Sequence, residues 1–398
     1  MISLEEACER IKASIPVPSA ESIPLKSAAG RIVAEDLSSQ INLPSFDNSA
    51  MDGYAVVAAD TKGASKSNPV SLKIVGEIPA GKSLDRTINS GECARIFTGS
   101  PVPVGANAVV MQEDTETDGE SVRILDQARP FENIRLLGED VKIGDTVAKA
   151  GEPINAGLLN LMGATGHGTV IVNQVPKVGI VATGSELKER GQQLQAGEIH
   201  ESNRVMISAL VAETGTAAIV YPLVEDSLPA TVEAFKKAFA ECDVVITSGG
   251  VSVGDHDFVK PAFTELGGSL DLWRVRIKPG KPFAFGKCRD GFLFGLPGNP
   301  ISAFATFMVL VRPALLHWQG ASETNLPMQT GTLSEPITNR GDRRHFVRVR
   351  IDEEGKVSSA GTQASHMLHS LAKANGLLDV APETTLAEGT QVYVARFG

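Results

Sequence analysis

The sequence predicts a multidomain fold in which an α/β domain is combined with two β-rich parts. Three observations carry this. Between Lys177 and Trp318, buried β-branched runs alternate with helical patterns, as in a parallel-rich sheet covered on both faces. Between about Asp60 and Ile134 the chain reads instead as short strands punctuated by Pro and Gly, an inserted β module. After about Gly320 the helices largely stop and alternating runs return, giving a small C-terminal β domain. With 398 residues the chain is long enough for several such units.

Taken in order, Ser3 followed by Glu6 is a capping-box pattern, and Leu4, Ala7, Cys8, Ile11 and Ile15 recur at helical spacing until Pro16 and Pro18 stop the run. Leu43 to Val56 is turn-rich, with Asp47 and Asp52 among Phe46, Met51 and Tyr54. That mixture reads either as a functional surface or as a turn in which Asn48 or Asp52 bonds its own backbone. Val70–Val75 and Val122–Leu125 alternate as strands, and Arg95 to Pro101 runs from strand to loop through Thr98. Asn155 to Met162 is a brief helix closed by Gly163 and Gly166. Val178 to Thr183 is a buried strand followed by the turn Gly184-Ser185-Glu186. Asn203 to Glu213 is helical, Ala217 to Val224 is a strand, and Asp226-Ser227 cap a helix running to about Ala240. Val244 to Ile246 then falls into a glycine loop that delivers Asp255 and Asp257. Leu272–Ile277 and Phe292–Leu296 are further strands, and Asn299 to Trp318 is a long apolar helix. Phe346–Ile351 and Gln391–Ala395 alternate as strands of the last domain.

Ligands of such sheets sit off the carboxyl ends of the strands. Glu186, Asp226, Asp257 and the turn Pro297-Gly298-Asn299-Pro300 all follow strands, so they can converge on one rim. In the loop Ser248-Gly249-Gly250, glycine lets backbone N–H groups approach phosphate oxygens, and a following carboxylate can hold Mg2+ against them. Read alone, that loop is equally an ordinary tight turn, and Asp226 is equally a helix cap. Lys278 and Lys281 stand on a stiff Pro/Gly loop that can pre-position two ammonium groups for an oxyanion; two solvated lysines are the bland alternative. Pro297 to Pro300 opens a helix whose positive end also suits an anion. There is no G-x-x-x-x-G-K-[ST] and no G-x-S-x-G, and His366 with His369 lacks a supporting ligand pattern. The residues themselves therefore point to an anion with a divalent metal and, from that pairing, to hydrolysis of a phosphoanhydride.

Composition bounds the rest. A net charge of -10 argues against non-specific nucleic-acid binding. Cys8, Cys93, Cys242 and Cys288 form no C-x-x-C pair and are expected as buried or free thiols. The N-terminus carries acids where a signal peptide carries basic then apolar residues. The longest apolar run, Ala303 to Val311, ends at Arg312-Pro313, well short of the roughly 20 residues of a membrane span. The expected home is the cytoplasm, with no nucleic-acid or membrane partner.

Eight stretches resemble one known family in order: PSFDNSAMDGYAV (44–56), FTGSPVPVGANAVVMQED (97–114), NIRLLGED (133–140), ATGSEL (182–187), SNR (202–204), TSGGVSVGDHD (247–257), IKPGKPFAFGK (277–287) and GLPGNPISA (295–303). Over essentially its full length the chain resembles the MoeA family of molybdopterin molybdenumtransferases, related to the E domain of gephyrin. The resemblance implies a MoaB/MogA-like three-layer α/β domain with a parallel-rich sheet at 1–13 and 166–320, and an inserted β module at 45–139. It also implies an elongated linker region at 14–44 and 140–165 and a C-terminal β-barrel-like domain at 321–398. It implies insertion of molybdate into adenylylated molybdopterin with release of AMP, a requirement for Mg2+, and a homodimer with a shared active site. A molybdopterin adenylyltransferase and molybdoenzyme maturation proteins are the implied protein partners.

Carried over residue by residue, Glu186, Asp226 and Asp257 match acids that support the metal and adenylate hydrolysis, and Asp140 matches an acid near the site. Asp52 and Thr98 would line the cleft from the partner subunit. Lys278 and Lys281 would hold molybdate or phosphate, Ser248, Gly249 and Gly250 the pterin phosphate, and Pro297 and Pro300 would shape the adjoining turn. Arg344 and Ser365 lie where the C-terminal domain contributes polar groups. His200-Glu201 departs from the Tyr-Asp expected there. The rival readings are an adenylyltransferase, which the two extra β parts disfavour, and a gephyrin-like scaffold, for which no organising linker is present.

Overall fold

The structure is a computed structural model and describes residues 1–250, 258–289 and 291–397. Helix α1 (Leu4–Ser14) starts where the capping pattern predicts, with the Ser3 side chain accepting the Glu6 N–H, and buries Ala7 and Ile11. Strand β1 (Ala20–Pro24) then leads toward the first β part. There β2 (Gly53–Val56), β3 (Val70–Ile78), β4 (Glu92–Ile96), β5 (Ala108–Met111), β6 (Thr115–Thr117) and β7 (Ser121–Ile124) form one six-stranded sheet in the order β5-β2-β4-β3-β7-β6. Its two faces carry separate cores. Val56, Leu72, Val110 and Ile124 pack on one, and Ala55, Ile78, Ile96 and Val109 on the other, as the two-residue period of a strand requires. Tyr54 belongs to this sheet and is 6% exposed, so it does not join Phe46 and Met51, which are 46% and 43% exposed, on the surface.

After the module the chain returns through α2 (Ala156–Ala164), capped by the Asn155 side chain, to β8 (Thr169–Asn173). β8 runs antiparallel to β1, so segments before and after the module are knitted together around Val33, Val147, Met162 and Val172.

The α/β domain contains β9 (Val178–Ala182), α3 (Asn203–Ala212), β10 (Ala218–Val220), α4 (Leu228–Glu241), β11 (Val244–Ser248), α5 (Val259–Glu265), β12 (Ser269–Arg274), β13 (Ile277–Lys278), β14 (Pro282–Cys288), β15 (Gly291–Leu296), α6 (Pro300–Thr306) and α7 (Arg312–Trp318). The sheet order is β10-β9-β11-β15-β14-β12. The first four strands are parallel and the last two antiparallel. Ile180, Ile246 and Phe294 face a core shared with α1, α3, α6 and α7, while Val181, Val245 and Leu293 face α4 and α5. Burial on both faces is why these strands read as continuous apolar runs. α6 and α7 belong to one 19-residue helical run, Pro300–Trp318, joined by a π-helical turn at Phe307–Val311. It is apolar and long enough to cross a membrane by composition, but 72% of it is buried inside this domain, where it serves as the core helix.

The last part holds β16 (Met328–Leu333), β17 (Arg344–Ile351), β18 (Lys356–Ser359), α8 (Leu368–Lys373), β19 (Gly376–Val380) and β20 (Gln391–Arg396). The strands run β17-β18-β16-β20-β19, and β19 pairs back onto β17, so five strands close a barrel around Leu333, Val347, Val349, Leu378 and Val394. β13 of the α/β domain adds to β17 in parallel, with Ile277 opposite Arg344 and Lys278 opposite His345. All four cysteines are free, and burial pushes the Cys93 thiol up to about 12.

Candidate active site

The parallel strands β9, β11 and β15 end side by side, with Ala182 opposite Ser248 and Ser248 opposite Leu296. The turns that leave them enclose a cavity of about 220 Å³ lined by Thr183, Glu186, Ser248, Gly249, Gly298 and Pro300, with Asn203 entering from the start of α3. Gly249 is required here. Its φ is +87°, and a Cβ would lie 2.8 Å from the Thr183 carbonyl oxygen. Asn203 ties the turns together: its Nδ2 donates to Ser248 Oγ and to the Gly298 carbonyl, both at 2.7 Å. Its Oδ1 is buried and has no partner among the described residues.

Of the expected acids, Glu186 is exposed on this cavity. Asp226 lies behind it, where its Oδ2 accepts the Ser185 N–H at 2.9 Å and pins the turn that carries Glu186. Asp226 is not the cap of α4; Ser227 is, through Oγ accepting the Ala230 N–H. Asp257 lies outside the described residues. Among those described, no group of three or more His, Cys, Asp or Glu comes together. Pro297 is buried beside Gly298 and shapes the turn from beneath.

Glu201, at the departure from the family pattern, is buried beside this cavity in an ion pair. Its Oε2 meets Arg204 Nε at 2.9 Å and its Oε1 accepts the Arg204 N–H at 2.8 Å. Arg204 also donates to Glu189 and to the Tyr221 carbonyl, both at 2.7 Å. Burial works against the Arg204 charge, but its hydrogen bonds to the Glu189 and Glu201 carboxylates outweigh it and raise its pKa.

A second cavity, of about 680 Å³, lies on the other flank of α6 and has a different chemistry. Lys278, Lys281, Ser302, Arg343, Gln363, Ser365 and His366 line it. Gly280, at φ +106°, lets the lysine loop close on the helix, since a Cβ would stand 2.4 Å from Thr306 Cγ2. Arg343 Nη1 donates to the Ile277 carbonyl at 3.0 Å, fixing the barrel against the same loop. Arg344, expected near the site, turns away to pair with Asp379 and Glu5; one step along a strand moves a side chain to the other face. Ser365 is on the cavity wall.

Behind that wall is Arg348, 1% exposed. Its Nε donates to Ser370 Oγ at 2.9 Å, and its Nη2 donates to the Thr362 and Ala364 carbonyls at 2.9 and 3.2 Å. Its Nη1 has no partner among the described residues, and burial lowers its pKa. Among the described residues no carboxylate pairs with Lys278, Lys281 or Arg348. Lys278 and Lys281 stand exposed on the cavity while Arg348 is desolvated behind its wall, so the lining favours an anion over a cation.

The module residues stand apart from both cavities within one chain. Asp52 Oδ1 accepts the Thr98 N–H and the Thr98 hydroxyl, each at 2.8 Å, and these bonds, the N–H foremost, hold its carboxyl below the usual range. Asp140 is exposed, with its own N–H donating to the Leu43 carbonyl at 2.9 Å. Sequence reasoning missed Asn203, Arg343 and Arg348 as site residues. Asn203 lay inside a quoted motif, but nothing local to Arg343 or Arg348 marked either one.

The comparisons with known proteins agree along the chain. Residues 2–166 match the MoeA N-terminal region (domain I and II), 179–317 a probable molybdopterin binding domain, and 330–397 the MoeA C-terminal region (domain IV). The molybdopterin molybdenumtransferase 2 of Mycobacterium tuberculosis is 38% identical over 393 residues, covering 97% of this chain and 96% of that one. The molybdopterin molybdenumtransferase of Haemophilus influenzae is 38% identical over 405 residues, covering 100% and 99%. The crystal structure of the molybdopterin biosynthesis MoeA protein from Pyrococcus horikoshii OT3 superposes with a TM-score of 0.82 at 31% identity, covering 100% of both chains.

Proposed function

The chain belongs to the MoeA family, and from that premise we propose that it is a molybdopterin molybdenumtransferase, which inserts molybdate into adenylylated molybdopterin, releases AMP and forms molybdenum cofactor. The observation that carries the reading onto residues is the pair of unlike cavities on the two flanks of α6, with Pro300 on one and Ser302 on the other. The smaller, rim cavity suits the phosphate-bearing pterin. Ser248 and Gly249 line it, Asn203 locks the turns, and Asn203 Oδ1, unpartnered among the described residues, is an acceptor for a substrate N–H or O–H. The larger, basic cavity suits the oxyanion. Lys278, Lys281 and Arg343 surround it, and Arg348 braces its wall from behind through the Ala364 carbonyl.

Asp226 braces the turn that carries Glu186, and these two carboxylates together with phosphate oxygens would meet the needs of Mg2+, which keeps several waters of its own. When bound there, the ion would offset charge that develops as the phosphoanhydride is cleaved. The chain's part is to hold Glu186 toward the cavity through the Asp226–Ser185 bond, to fix the pterin phosphate on the glycine turn and to hold the oxyanion close by. Asp257 and Asp140 belong to this proposal as further acids. So does a homodimer in which the partner subunit supplies the Asp52–Thr98 pair, and so does a cytoplasmic home. Matches in all three regions favour this reading over a lone-domain adenylyltransferase.

The test is AMP release from adenylylated molybdopterin by the purified protein. The expected release depends on both molybdate and Mg2+, and release indifferent to molybdate would sink the proposal. The shared site has its own test. Mixing inactive Asp52→Asn and Glu186→Gln proteins should restore activity when subunits exchange, whereas no recovery among exchanged subunits would place each site within one chain.

A further inference from the structure

His345 is a buried imidazole beside the basic cavity whose chemistry the proposed reaction leaves unused. It is 5% exposed, and neither Nδ1 nor Nε2 has a hydrogen-bond partner among the described residues. It stands opposite Lys278 in the β13–β17 pairing, so it adjoins the lysine loop directly. The charges around it are all of one sign. β13 contributes Lys278, and its own strand with the preceding turn contributes Arg348 and Arg343. Across on β19 it meets Val380; the neighbouring Asp379 is held by Arg344, as is Glu5 of α1. Burial first, then Lys278, Arg348 and Arg343, push the His345 pKa down to about 4, so the imidazole is neutral while the cavity holds no anion.

A dianion in that cavity reverses the local field. It cancels the repulsion from the three cations and gives an imidazolium an attractive neighbour. We propose that oxyanion binding is proton-linked through His345: molybdate enters the basic cavity and the buried imidazole takes up one proton from solvent. No bond in the oxyanion is made or broken in this step; the complex gains two negative charges and one positive. The linkage makes binding tighter as pH falls, by up to about tenfold per unit across the range between the free and occupied pKa values. This inference rests on the reading that the basic cavity takes molybdate. His366 is the other imidazole there, exposed on the wall, and has to be separated from His345.

Calorimetric titration of the intact protein with sodium molybdate, in two buffers of different ionisation enthalpy at pH ~5.5, between the lowered value of about 4 and the ordinary histidine value of about 6.5, counts the protons taken up. Close to one proton is expected in the wild type and in His366→Gln, and close to none in His345→Gln. Binding without proton uptake by the wild type overturns the linkage alone, as does uptake that vanishes in His366→Gln or persists in His345→Gln. If molybdate does not bind the wild type at all, the oxyanion reading fails and the linkage with it. The wild-type and His366→Gln counts decide the matter even where His345→Gln does not fold.

Discussion

Two buried arginines, one beside each cavity, show opposite ways of carrying a charge indoors. Arg204 is 4% exposed and sits between Glu201 and Glu189, and its pKa is raised. Arg348 is 1% exposed and is held only by carbonyls and a hydroxyl, with one nitrogen idle and its pKa lowered. A cation whose counter-ion is part of the chain is architecture. One with no counter-ion among the described residues is where the proposed oxyanion reading can be tested.

The largest expected effect tests the first half of this contrast. Arg204→Met leaves Glu201 buried and alone, and should lower stability by about 3–5 kcal/mol in urea unfolding; a loss below about 1 kcal/mol would break the comparison. Arg348→Met leaves no carboxylate stranded, so its unfolding midpoint should move less than that of Arg204→Met. Its molybdate-dependent AMP release should nonetheless fall about a hundredfold, or about 2.7 kcal/mol of barrier. The reverse pattern, an unstable but fully active enzyme, would make Arg348 architecture as well. Lys281→Ala, on the rim of the same cavity, should raise the molybdate KM about tenfold with kcat little changed, because an exposed ammonium contributes to binding more than to the reaction. Ser370→Ala removes only the hydroxyl that receives Arg348 Nε and should destabilise by about 1 kcal/mol.

The smallest effect lies in the β module, where an exposed acid serves as a reference for the buried pairs. The Asp52 pKa is depressed in the folded protein, so its contribution is present above the ordinary aspartate value of about 3.9 and is lost as pH falls through the folded value. Thr98→Val keeps the N–H and removes the hydroxyl. The acid limb of the stability curve should therefore move slightly upward in pH, and an unchanged limb would leave the N–H as the sole determinant.

How much of this was legible in the sequence follows from how local each cause is. The strands ending at Ala182, Ser248 and Leu296 were readable because β-branched runs and the glycine turns that follow them are contiguous. The rim that Glu186 shares with the Ser248 and Gly298 turns follows from those strands being parallel. Arg348 was not readable. In an alternating strand it falls opposite Val347 and Val349, which line the barrel, and that position reads as solvent. It is buried because the Thr362–Ala364 loop and Ser370 fold over it, a contact no periodicity encodes. Arg343 lines the cavity and its neighbour Arg344 pairs with Asp379 instead, and sequence alone does not say which of two adjacent arginines faces a cavity. Tyr54 seemed exposed among polar turn residues because the strand that hides it begins only at Gly53.

The closed barrel also bears on the order in which the protein is assembled. Its first strand, Met328–Leu333, is paired along its length by its last, Gln391–Arg396. During synthesis the α/β domain has its strands and helices long before that final strand leaves the ribosome, and such distant pairings form late. The wall carrying Gln363 and Ser365 therefore matures last, and a chain cut short before Gln391 would lack that side of the basic cavity.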